Sequence, residues 1–129
     1  MRRVLIVDDE VLVRIGIKHS IAWEQNGFEL IGEASDGKEA LEMIQKLAPD
    51  IVILDINMPV LNGIEVLREL KEQKYKGKVI VLTCFNEIEY ARSAMKYGAS
   101  DYVLKTTLNT DELLNLSLIH ISEPTRLLS

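Results

Sequence analysis

Short apolar runs alternate along the chain with stretches in which apolar residues recur every three or four positions. The runs lie at 4–7, 30–34, 51–54, 79–82 and 102–104. Most are unbroken rather than alternating, as in strands buried on both faces of a parallel sheet. The intervening stretches predict helices. The first covers about 11–23. The second follows Asp36-Gly37 and lines up Ala40, Leu41, Ile44 and Leu47; Asp36 with Glu39 three residues on reads as a capping box. The third begins near Gly63 and presents Ile64, Leu67 and Leu70. The fourth spans 88–97, with Gly98 as its stop, and the fifth starts near Asn109. Five βα units on one short chain imply right-handed crossovers and a doubly wound α/β sandwich.

Composition narrows this reading. The 129 residues suit one domain, and 47% apolar with 27% charged residues allow one core. The formal charge of -5 disfavours nonspecific nucleic-acid binding, which rewards excess Lys and Arg. Any DNA contact is therefore expected from another domain. A single cysteine, Cys84, excludes an intrachain disulfide and suits a reducing, cytoplasmic setting. No apolar run approaches the roughly 20 residues of a membrane span, and the N-terminus is too short for a signal peptide. His19 and His120 lack metal-ligand partners at useful spacing. After Leu116 the helical spacing fails, and Pro124 must end or kink any helix. Residues 1–116 are thus expected to be the domain, and 117–129 a C-terminal tail of vector origin.

Ligands of open α/β sheets bind outside the carboxyl ends of the strands. Strand 1 ends in Asp8-Asp9, strand 3 in Asp55, strand 4 in Thr83 and strand 5 in Lys105. Three carboxylates held close repel one another unless a cation intervenes. Mg²⁺ suits a site with few carboxylates, retained waters and a phosphate oxygen. Lys105 offers a second positive charge and Thr83 a hydrogen-bond donor. The set fits phosphoryl transfer, with a carboxylate as the nucleophile. Taken singly, each residue has an ordinary explanation as a turn, cap, surface or core residue. Taken together at four strand ends, they do not.

Four segments carry a family resemblance: Val4-Leu5-Ile6-Val7-Asp8-Asp9-Glu10, Leu54-Asp55-Ile56-Asn57-Met58-Pro59 with Gly63, Val81-Leu82-Thr83, and Gly98-Ala99-Ser100-Asp101-Tyr102-Val103-Leu104-Lys105. In this order and spacing they resemble the signature segments of response-regulator receiver domains, over about 3–116. The resemblance implies a flavodoxin-like (βα)5 fold with strand order 2-1-3-4-5. It implies that Asp55 is the phosphoacceptor, that Asp9 binds Mg²⁺ directly, and that Asp8 acts through water. The backbone carbonyl of Asn57 completes the metal shell, and Lys105 holds the phosphoryl group. Thr83 and Tyr102 are the switch residues, which alter the surface of helix 4, strand 5 and helix 5. The implied partners are a sensor histidine kinase, an output domain and a second copy of the chain. Residues 21–29 and 85–91 further resemble receivers joined to AraC-type helix-turn-helix domains.

Two positions depart from the family pattern. Thr106 stands where Pro usually follows the lysine, so a trans peptide there is expected to place Lys105 less rigidly. Phe85 is bulky where hydrolytic water would approach, and is expected to slow loss of the phosphoryl group. Three other readings compete. A pseudo-receiver would keep the fold only for protein contacts. A flavin- or nucleotide-binding domain would want a Gly-rich loop after strand 1, which is absent. An aspartyl phosphatase would want Asp-x-Asp, where Asp8 is followed by Glu10.

Overall fold

The computed structural model describes residues 2–58, 60–84 and 88–104. Five parallel strands form one sheet in the order β2-β1-β3-β4-β5. They are β1 (Arg2–Val7), β2 (Phe28–Ala34), β3 (Ile51–Asp55), β4 (Lys78–Thr83) and β5 (Asp101–Leu104). Helices α1 (Val11–Ser20), α2 (Gly37–Leu47), α3 (Gly63–Glu72) and α4 (Ile88–Lys96) alternate with them. This is the expected flavodoxin-like order. The predicted fifth helix, from Asn109, and the tail at 117–129 lie outside the described residues. Among the described residues, no helix is long and apolar enough to cross a membrane.

The unbroken apolar runs are explained by two core layers. Leu5, Val7, Val52, Leu54, Val79 and Val81 face one side of the sheet, where Ala40, Ile44, Val66 and Leu70 meet them from α2 and α3. The alternate residues Val4, Ile6, Ile51, Ile53, Ile80 and Leu82 face the other side, toward Ile17 of α1, Ile21, Trp23 and Phe28. A strand covered on both faces has no position left for a polar side chain. In the central strands β3 and β4, polar residues appear only at the ends, as Lys78, Asp55 and Thr83, which still pair and so lengthen the strands beyond the apolar runs.

One boundary differs from the sequence expectation. The first helix stops at Ser20 rather than near 23, and a 3₁₀ turn follows at Glu24–Asn26. Trp23 is the reason. It turns into the core, meets Phe28 edge-to-face at 6.0 Å between ring centroids, and donates its indole N–H to the Ile17 carbonyl at 3.3 Å. Gly27, at φ 87°, then reverses the chain into β2, a left-handed conformation that glycine adopts without steric cost.

The helix starts are set by their own side chains. Asp36 accepts the Glu39 N–H at 2.8 Å, but the Glu39 carboxylate reaches Ser35 N–H at 3.0 Å rather than that of Asp36. The complete capping box lies on α3, where Asn62 accepts from Glu65 N–H and Glu65 accepts from Asn62 N–H. Gly98, at φ 101°, ends α4 as expected, with Ala99 N–H returning to the Ala94 carbonyl at 3.1 Å.

An ion-pair network ties α1 to the edge strand β2. Glu33 accepts from Lys18 at 2.7 Å and from Arg14 at 3.0 Å. The Lys18 hydrogen bond, with help from Arg14, holds the Glu33 carboxyl below its usual range despite partial desolvation. A depressed carboxyl pKa stabilises the fold above the unfolded value and loses that contribution as pH falls through the folded one. The Glu33 side chain is about a third exposed, so solvent screens the network. Glu33→Gln is therefore expected to cost no more than about 0.5 kcal/mol at neutral pH. In urea titrations at stepped pH, the gap should close as pH drops below the unfolded value near 4.5. A gap that persists in acid would mean the network acts through packing.

Candidate functional site

The sheet register builds the site. β1 and β3 are neighbours with Val7 opposite Leu54, so the next residues on each strand, Asp8 and Asp55, emerge side by side at the carboxyl edge. Asp55 itself pairs with Leu82 of β4, and Thr83 is the next residue along. Asp8 is 0% and Asp55 1% exposed, while Asp9 faces solvent. One oxygen from each of the three carboxylates lies within 4.8 Å of the other two.

Local bonds fix these side chains. Asp8 accepts the Glu10 N–H at 2.8 Å, and its own N–H donates to the Ala34 carbonyl of β2 at 3.1 Å. The Arg14 guanidinium donates to the Asp8 carbonyl and, on its other side, to Glu33. Asp55 accepts the Asn57 N–H at 3.3 Å. The turn after β3 is closed by Ile56 N–H to the Leu82 carbonyl at 3.1 Å and Gly63 N–H to the Ile56 carbonyl at 2.9 Å. Gly63 is required there: a Cβ would lie 2.7 Å from both the Asp55 carbonyl oxygen and Ile56 Cα.

Thr83 is fully buried at the end of β4, and its hydroxyl donates to the Cys84 carbonyl at 3.2 Å. Tyr102, opposite Val81 on β5, is 38% exposed and is not a core aromatic. Asn57 is exposed beside Asp55. The fold thus gathers Asp8, Asp9, Asp55, Asn57 and Thr83 at one edge. Lys105, Thr106 and Phe85 lie outside the described residues. Arg14 is a positioning residue that the sequence pattern did not reveal. The only signal was a basic residue one turn into the helix after the acidic pair.

Two buried carboxylates and one exposed one, all oxygen donors, make a set that could hold a hard divalent cation. Carboxylates held this close repel one another, and a cation between them relieves the repulsion.

The sequence model of the response regulator receiver domain matches residues 4–117. The chain belongs to the response-regulator receiver domain family. It is 42% identical over 105 residues to the transcriptional regulatory protein YesN of Bacillus subtilis, covering 81% of this chain and 28% of that protein. The solved receiver domain of AraT, a response regulator from Geobacillus stearothermophilus, superposes with a TM-score of 0.83 at 31% identity, covering 98% of this chain and 96% of that one. A LuxR-family DNA-binding response regulator from Staphylococcus aureus superposes at 0.80 with 30% identity, over 90% of this chain and 95% of that one. The chain spans about half or less of the length of the first curated relatives it matches.

The receiver's acidic edge makes one mechanical prediction. Gly63→Ala must push the turn away from the Asp55 backbone, because both atoms it would strike are main chain. The expected cost is about 1–3 kcal/mol in urea unfolding. Unchanged stability would show that the turn yields freely and does not hold Asp55.

Proposed function

We propose that this receiver accepts a phosphoryl group on Asp55 from the phosphohistidine of a sensor kinase, with Mg²⁺ as cofactor. The observation that carries the reading is the convergence of Asp8, Asp9 and Asp55 within one cation's reach at the carboxyl edge. The carboxylates of Asp8, Asp9 and Asp55 and the backbone carbonyl of Asn57 would hold the ion, Asp8 acting through water. Bound there, the ion neutralises charge on the phosphoryl oxygens. Burial at β3 and the Asn57 N–H orient the Asp55 carboxylate for in-line attack. Its oxygen forms the new bond to phosphorus as the bond to the kinase imidazole breaks. Lys105 is assigned to pair with the phosphoryl group.

The output arises from a local charge change biasing a two-state surface. Thr83 is assigned to bond the phosphoryl oxygen, and the half-exposed Tyr102 to move into the space vacated. The surface of α4, β5 and the fifth helix expected from the sequence then engages a second copy or an output domain in the cytoplasm. The resemblance at 21–29 and 85–91 points to an AraC-type output, whereas solved relatives include LuxR-family members; the type of output domain is read most directly from the native gene.

The test is intact-mass spectrometry after incubation with acetyl phosphate. Wild type is expected to gain one phosphoryl adduct that requires Mg²⁺ and vanishes in Asp55→Asn. A well-folded protein that gains none would be a pseudo-receiver, working only through protein contacts. In the same assay, Asp9→Asn is expected to raise the Mg²⁺ concentration needed for half-labelling by about tenfold or more, as removal of a charged ligand should.

A further inference from the structure

We propose that Glu33 of β2, acting through Arg14, sets the position of Asp9 and with it the affinity of the acidic edge for a divalent cation. The inference rests on the cation site proposed above. It concerns two charged residues that are not among the expected ligands.

A closed circuit of bonds runs around Asp9. The Asp8 carboxylate accepts the Glu10 N–H at 2.8 Å, the Glu10 carbonyl accepts the Arg14 N–H at 3.2 Å, and the Arg14 guanidinium returns to the Asp8 carbonyl. Asp9 lies inside this circuit and is exposed. The circuit stands where a helix cap would. Helices α2 and α3 each start on a side chain that accepts a backbone N–H, whereas the Glu10 side chain makes no such bond at the start of α1. The turn that carries Asp9 is braced instead by Arg14, from one turn into the helix.

Arginine is long and flexible, and a brace needs one fixed rotamer. Glu33 supplies it by accepting the Arg14 Nε–H at 3.0 Å, and the Arg14 side chain is left 14% exposed. The neighbouring Ala34 carbonyl accepts the Asp8 N–H at 3.1 Å. Both backbone polar groups of Asp8 are therefore tied to adjacent residues of β2, one directly and one through Arg14. Charge acts in the same sense. Arg14 brings a positive charge near a site for a cation, and the Glu33 carboxylate offsets it. Without Glu33 the guanidinium would be both loose and uncompensated. Lys18 is the contrast: it shares Glu33 at 2.7 Å, but from one helical turn farther from Asp8.

The experiment titrates Mn²⁺, standing in for Mg²⁺, and follows the free ion by electron paramagnetic resonance. The proteins are wild type, Glu33→Ala, Arg14→Met, the double variant and Lys18→Met, each shown to be folded by circular dichroism. Glu33→Ala and Arg14→Met are each expected to raise the Mn²⁺ dissociation constant about fivefold. This is below the roughly tenfold or more reached by partners of ligating side chains, because the brace acts on backbone. The double variant should bind no more weakly than the weaker single, since Glu33 acts through Arg14. Lys18→Met should stay within about twofold of wild type. An unchanged constant in Glu33→Ala would overturn the inference, and this arm decides alone should Arg14→Met fail to fold. Losses that multiply in the double variant would also overturn it. So would equal weakening in Lys18→Met, which would assign the effect to the ion pairs between α1 and β2 as a whole. A wild type that binds no Mn²⁺ would remove the cation site itself, and the inference with it.

Discussion

The parallel pairing of β1 with β3 is the constraint on which both the core and the acidic edge depend. With Val7 opposite Leu54, the next residues on each strand are carboxylates, and both are sealed from water. Burying a carboxylate is costly unless it is hydrogen-bonded or meets a cation. Backbone N–H groups supply part of that compensation, from Glu10 to Asp8 and from Asn57 to Asp55. The apolar layers on both faces of the sheet supply the stability that permits it. A one-residue slip of β1 against β3 would turn Val7 out of the core layer it shares with Leu54 and separate the two acids as well. Core packing and site assembly are therefore the same constraint, and neither can drift without the other.

The fold was legible in the sequence because the two-sided burial of a parallel sheet leaves unbroken apolar runs, and those runs are local. The carboxyl-edge residues were legible for the same reason: once strands are placed, their last residues share an edge. What could not be read depended on contacts distant in sequence. Whether Trp23 extends a helix or folds inward is settled by Phe28 and Ile17. Arg14 bridges Asp8 and Glu33 only because β2 lies beside β1. Glu39 binds Ser35 rather than its cap residue, and the full capping box belongs to Asn62, where three residues of turn intervene between Pro59 and α3. Tyr102 sits in an apolar run yet is half-exposed, because β5 is an edge strand.

The turn between β3 and α3 breaks a local rule. Val60 has φ 70° and is 71% exposed. A β-branched residue rarely adopts this left-handed conformation, at a cost of about 1–3 kcal/mol. Several contacts hold it. The turn is closed at its base by Gly63 N–H to the Ile56 carbonyl, and the capping box fixes Asn62. The Leu61 backbone lies so close to Gly37 that a Cβ there would fall 2.3 Å from the Leu61 oxygen. Relaxing Val60 would require α2 or the start of α3 to give way. The turn that carries Asn57 past Asp55 is thus tight because two helix starts pin it.

This rigidity bears on how a switch could work here. The acids stand on strand ends buried in the sheet, and the turn beyond Asp55 is pinned, so neither is free to carry a large motion. Thr83 is equally enclosed. Toward the β5 edge the side chains become open: Tyr102 is half-exposed, and Tyr90 and Met95 on α4 face solvent. A charge added at Asp55 would act on a stiff side of the molecule and be relieved on the open one. Under the proposed function, movement is therefore expected at α4 and β5 rather than at α2 and α3.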